Sequence, residues 1–137
     1  ARTHGRYFTE WANMFTEQGK RRMALVKKLI ELRKDPVFFD GKTRWLDNDN
    51  PDAVLSYARE SEEDRALVVI NVSDKCVSTV VDADFDGAAQ LLSYGAKYES
   101  DGGATKLELQ PKGYIVLRKN AEKRNPKVLR RNRAPIM

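Results

Sequence analysis

The sequence predicts an α+β chain: one N-terminal helix or two, then an antiparallel β-sandwich of about seven strands with Greek-key-like links. Two observations carry this. Apolar residues recur at helical spacing up to Pro36 and with a period of two from Thr43 onward. The second part is also punctuated by turn chemistry: DNDNPD at 47–52, ESEED at 60–64, NVSDK at 71–75, DFDG at 84–87, SDGG at 100–103 and QPKG at 110–113.

The elements follow in order. Tyr7, Trp11 and Met14 or Phe15 fit a short helix. Thr16 is a good N-cap with Glu17 in the first turn of the next helix. Met23, Val26 and Ile30 share one stripe there, with Leu25, Leu29 and Leu32 beside it, giving a wide apolar face. Lys34 suits the negative end of the helix dipole, and Pro36 sets the limit at residue 35. Strands are expected over 43–47, 53–59, 65–72, 76–81, 88–93, 105–109 and 113–118. RALVVINV reads as the most buried of them. The organisation expected is a helical segment at 1–36, a β-sandwich at 37–119 and a basic tail at 120–137.

Composition bounds the function. The chain has 137 residues, 41% hydrophobic and 33% charged, enough for one domain with appendages. No apolar run approaches the ~18 residues that a membrane span needs. Eight Lys/Arg against Glu122 give residues 118–137 a charge of +7; the chain's net +5 therefore leaves −2 for residues 1–117. The basicity belongs to the tail, not to the folded part. A polyanion-binding adaptor acting through that tail is one functional reading, weakened by the lack of interleaved aromatics for base stacking. Cys76, the sole cysteine, lies in an alternating apolar run and is expected to be a small buried hydrophobe.

Candidate chemistry is sparse. DADFDG at 82–87 matches the opening of a calcium loop, but its twelfth position is Ser93 instead of Glu, so an acidic turn is the better reading. DNDNPD reads as a turn whose side chains bond nearby N–H groups. His4, the only histidine, has no ligand-like or triad-like company. No catalytic residue, metal ligand or cofactor is expected. The aromatic residues Trp45, Tyr57, Tyr94 and Tyr98, with Phe85, are candidate faces for stacking on sugar rings.

Four fragments in order carry a resemblance. Lys28 to Arg33 with Pro36 and Gly41, then Trp45-Leu46 and Asn50 to Arg59, then Leu67 to Ser73, then Leu109 to Lys119 (LQPKGYIVLRK) resemble the end of the barrel and the following domain in the α-amylase superfamily of glycoside hydrolases. The resemblance implies that the 23–32 face packs on a (β/α)₈ barrel and that the β region is the C-terminal domain abutting it. The family's catalytic Asp, Glu and Asp lie upstream of anything here, and Thr3-His4-Gly5 lacks the Asp of the late N-H-D motif. What it implies is a non-catalytic C-terminal domain whose parent acts on α-glucosidic bonds by the retaining two-carboxylate route. The partners expected are the parent's barrel, an α-glucan, and a second copy through the apolar helix face. A free-standing carbohydrate-binding module is the alternative.

Overall fold

The computed structural model describes residues 8–120. The chain divides between Asp35 and Pro36 into two units. The first holds a 3-10 helix, Trp11–Phe15, and α1, Glu17–Arg33. Thr16 caps α1 as expected: its Oγ1 accepts from the Gly19 amide at 3.0 Å. No residue of α1 is buried, and Met23, Val26, Leu29 and Ile30 are 40–55% exposed.

The second unit opens with α2, Pro36–Phe39, so the proline that ends one helix starts the next at the position where its missing N–H costs nothing. Six strands follow: β1 Lys42–Trp45, β2 Val54–Glu60, β3 Asp64–Asn71, β4 Val77–Val81, β5 Ala89–Asp101 and β6 Ala104–Asn120. All pairings are antiparallel. The path is β1-β2-β3-β6-β4, with β5 on the other side of β6. The first half of β6 therefore runs between β4 and β5, and the second half between β3 and β5. One long strand serves two layers, which gives the sandwich-like, Greek-key-like curl.

Six strands stand where about seven were expected, because 105–109 and 113–118 are one strand and 88–93 continues to 101. QPKG is not a turn between strands but an excursion within β6. Tyr94 faces Tyr114 while Ala96 already faces Leu109, so Gly95 opposes four residues. Gly95 has φ 55°, and a Cβ on it would lie 2.8 Å from the Cβ of Gln110. A Cβ on Gly113 would meet the Gly95 carbonyl oxygen at 2.7 Å. Both positions need glycine.

The excursion is locked to the β3–β4 link. Asn71, wholly buried, donates through Nδ2 to the carbonyls of Lys75 (2.7 Å) and Gln110 (2.9 Å). Its Oδ1 accepts from the Ser73 amide and hydroxyl at 3.0 and 2.7 Å. The Lys112 amide donates to the Ser73 carbonyl at 3.1 Å. Two fragments of the resemblance that lie far apart in sequence, LVVINVS and LQPKGYIVL, thus form one feature.

The core lies between the layers. Leu67, Val69, Val81, Phe85, Leu107, Leu109, Ile115 and Leu117 are at most 2% exposed there. β3 is buried on both faces over Ala66–Val69, as RALVVINV predicts. Phe85 belongs to this core, with the Arg65 guanidinium 5.1 Å from its ring centre, and is no sugar face. Cys76 is a correction: it is exposed, its thiol 3.4 Å from Gln110 Oε1. Val77, Thr79 and Val81 point inward, and the same alternation turns Cys76 outward.

The two acidic loops work as seams. In DNDNPD, Asn48 bridges to Val81, and Asp49 Oδ1 accepts from the Thr79 hydroxyl (2.7 Å) and the Val80 amide (2.9 Å). The loop after β1 thereby covers the free edge of β4. In DADFDG, Asp84 accepts from the Asp86 amide at 3.0 Å and lies 3.4 Å from Lys119 Nζ. The Thr79 hydroxyl and then the Val80 amide hold the Asp49 carboxyl below its ordinary value of 3.8. The Asp86 amide, with Lys119 and Ser100, lowers Asp84 in the same direction. A depressed carboxylate stabilises the fold fully above its unfolded pKa, and that stability is lost as pH falls through the folded pKa. Urea midpoints should therefore fall below pH 3.8, and Asp49→Asn should flatten that acid limb. Equal acid limbs in the two proteins would contradict the assignment.

Candidate functional site

The two layers present outer faces of opposite character. Cross-strand partners point to the same side of a sheet. On the layer of β4, β6 and β5, the outward rows are Ser78–Glu108–Lys97 and Val80–Lys106–Glu99. That face is charged and solvated. On the other layer the outward rows are Trp45–Tyr57–Val68–Val116–Leu92 and Leu55–Ile70–Tyr114–Tyr94. Val68, Val116 and Leu92 at its centre are buried, as is Val37 of α2. Around them Phe39 (61%), Trp45 (66%) and Tyr94 (59%) stand exposed.

The four aromatic candidates fall into three places. Trp45 and Tyr57 are direct cross-strand partners, their ring centres 5.3 Å apart at 60°. With Phe38, Thr43 and Arg59 they line a shallow groove. Arg59 holds one wall in place, donating to Thr43 Oγ1 at 2.7 Å and to the Phe38 carbonyl. Tyr94 pairs with Tyr114 at 5.8 Å and 32°. Tyr98 joins neither pair: it is half-buried against the core, and its hydroxyl donates to the Ala88 carbonyl at 3.3 Å. Sequence reasoning passed over Tyr114, Phe38 and Arg59. For Tyr114 the clue was the alternation of GYIVLR, which sends residues 114, 116 and 118 to one face.

Acid–base work needs a carboxyl whose pKa is raised toward neutrality. The two displaced carboxyls, Asp49 and Asp84, move the other way and are engaged in holding loops. Among the described residues no group of three His, Cys, Asp or Glu gathers as metal ligands, and no helix is long and apolar enough to cross a membrane. His4 and residues 121–137 of the basic tail lie outside the described residues. At the tail's root, Arg118 pairs with Asp64 at 2.8 Å and Lys119 with Asp84 at 3.4 Å.

The β module thus has one solvated and one apolar outer face, with Asp49 and Asp84 engaged in holding loops. The comparisons identify its family. The family model described as the C-terminal domain of maltogenic amylase matches residues 43–116, and the chain belongs to this family of C-terminal domains of α-amylase-type enzymes. Among solved structures, a noncanonic maltogenic α-amylase, AmyB from Thermotoga neapolitana, aligns with TM-score 0.53 at 22% identity over 73% of this chain and 26% of that one. An α-amylase from H. orenii aligns with TM-score 0.53 at 21% identity over 68% of this chain and 19% of that one. The trehalulose synthase MutB, in a sucrose-bound form, aligns with TM-score 0.53 at 26% identity over 70% of this chain and 17% of that one. The first two show the fold alone. The chain spans about a quarter or less of the length of the structures it matches. A comparison with curated protein sequences found no match. In amylase-family parents this domain belongs with a catalytic barrel.

Proposed function

We propose that the chain is the non-catalytic closing part of an α-amylase-type enzyme acting on α-glucosidic bonds in starch-like glucans. In this reading residues 1–36 end the catalytic barrel, 37–119 form the C-terminal domain, and 120–137 are a basic tail of separate role. The domain covers the barrel and stabilises it. The observation that carries the reading is the apolar outer face around Phe38, Phe39, Trp45, Leu55 and Tyr57, set against a charged face on the opposite layer. Each large side chain covered there contributes ~1.5–3 kcal/mol. A barrel as the occupant is supported by the family of C-terminal domains that the chain belongs to and by its spanning only about a quarter or less of its structural relatives. Alone, the chain leaves this face and the apolar stripe of α1 to water, a state that favours self-association. The test is side-chain oxidation by hydroxyl radicals on the chain alone and on the chain joined to the polypeptide encoded in frame ahead of it. Trp45 and Leu55 should be protected in the joined protein; equal oxidation would sink the reading.

A further inference from the structure

We propose that the loop at 47–50 is a releasable guard on the free edge of β4, and that with it lifted two copies of the chain join antiparallel through β4, centred on Thr79. The inference does not depend on the amylase-type reading. Among the described residues three strands have a single neighbour: β1, β4 and β5. Such edges pair with other chains unless something blunts them. β1 carries Lys42 and Arg44. β5 is broken by register shifts at Gln90/Leu92 and Tyr94/Ala96, and carries Lys97 and Glu99. β4 has neither device. CVSTVV, residues 76–81, holds no charge, proline or glycine, and four of its six residues are β-branched. That is the composition of segments that pair readily between chains.

The guard grips β4 lightly and β2 separately. The Val80 amide points away from β6, for it donates to Asp49 Oδ1 at 2.9 Å. By alternation Ser78 and Val80 turn their N–H and C=O groups to the free edge, while Val77, Thr79 and Val81 turn theirs to β6. Beyond the bridge of Asn48 to Val81, the hold on β4 is the Asp49 carboxylate, which also accepts from the Thr79 hydroxyl at 2.7 Å. Asn48 ties the loop to β2, donating to the Val54 carbonyl at 3.2 Å and to Ser56 Oγ at 2.9 Å. Loss of the Asp49 bonds therefore loosens the loop from β4 and leaves it on β2. A second copy fits the bared edge. With a two-fold axis at Thr79, Ser78 lies opposite Val80 of the other copy, and the two exchange their outward backbone bonds. Val77 lies opposite Val81, both on the core side. The whole of β4 is overlapped, and no like charges meet within it.

A short thiol cross-linker applied to the full chain in a Cys76→Ser background tests this. One population carries Ser78→Cys and another Val80→Cys, both at exposed positions. Mixed, they should cross-link to each other faster than either population does alone, because residues 78 and 80 of two copies are direct cross-strand partners. Asp49→Ala added to both should raise that rate roughly tenfold or more, the weight of a lost charged hydrogen bond. Thr79→Val, which keeps the shape and removes one donor to Asp49, should act in the same direction, and it decides if Asp49→Ala fails to fold. Association through the apolar outer face or α1 would give the mixture no preference. No cross-link, single populations reacting as fast as the mixture, or rates unmoved by loosening the Asp49 bonds would overturn the proposal.

Discussion

Phe85→Ala should destabilise the β unit by about 3–5 kcal/mol, the range for removing a fully buried aromatic ring. For a unit of this size that is a fall in Tm of roughly 15–30 °C. Phe85 is 1% exposed and sits in the core cluster between the layers. The loop carrying it is held by the Phe85 amide donating to Ser100 Oγ at 3.1 Å, so collapse into the void is resisted. The Arg65 guanidinium, 5.1 Å from the ring centre, also loses its aromatic partner. Calorimetry checks the result. A shift of a few degrees would mean that the residue lies at the rim of the core.

The second large effect is expected from an isosteric change. Asn71→Asp keeps the size and both acceptor bonds from Ser73, but removes the donor that serves the Lys75 and Gln110 carbonyls. It places a buried carboxylate against two carbonyl oxygens. The expected cost is at least about 3 kcal/mol at neutral pH, the upper end for an unsatisfied buried group because the new one is charged. Protonation of the new acid should return part of it, so the deficit should shrink as pH falls through the carboxylate range. Urea unfolding at several pH values measures this. A loss independent of pH would show that shape, not the donated bonds, matters at Asn71.

What the sequence made legible follows from which signals are local. The cap at Thr16, the stop at Pro36, the alternation of β2 and β4 and the continuous apolar run of β3 are set by neighbouring residues, and they appear where expected. The β6 excursion was read as a turn because Pro111, Lys112 and Gly113 have turn chemistry. It stays in line only because Asn71 and Ser73, some 40 residues away, take up its backbone groups. Long-range pairing of that kind has no local signature. β5 beyond residue 93 was missed for a related reason: its alternation passes through Gly95 and polar residues, and its pairing with β6 supplies what propensity does not. Cys76 was placed inside because its neighbours are apolar; parity, not composition, decides the side. At the candidate site, Trp45, Tyr57 and Tyr94 were visible as residue types. Their grouping was not, since Tyr94 finds Tyr114, and Tyr98 turns to the core.

The central claim is that the apolar outer face of the β1–β2 corner is made to be covered by a catalytic barrel. Hydroxyl-radical footprinting of the protein with and without its upstream polypeptide tests it most directly. Several-fold slower oxidation of Phe39, Trp45 and Leu55 in the joined protein is the predicted outcome. Unchanged reactivity at all three, or an upstream reading frame encoding no barrel, would contradict it.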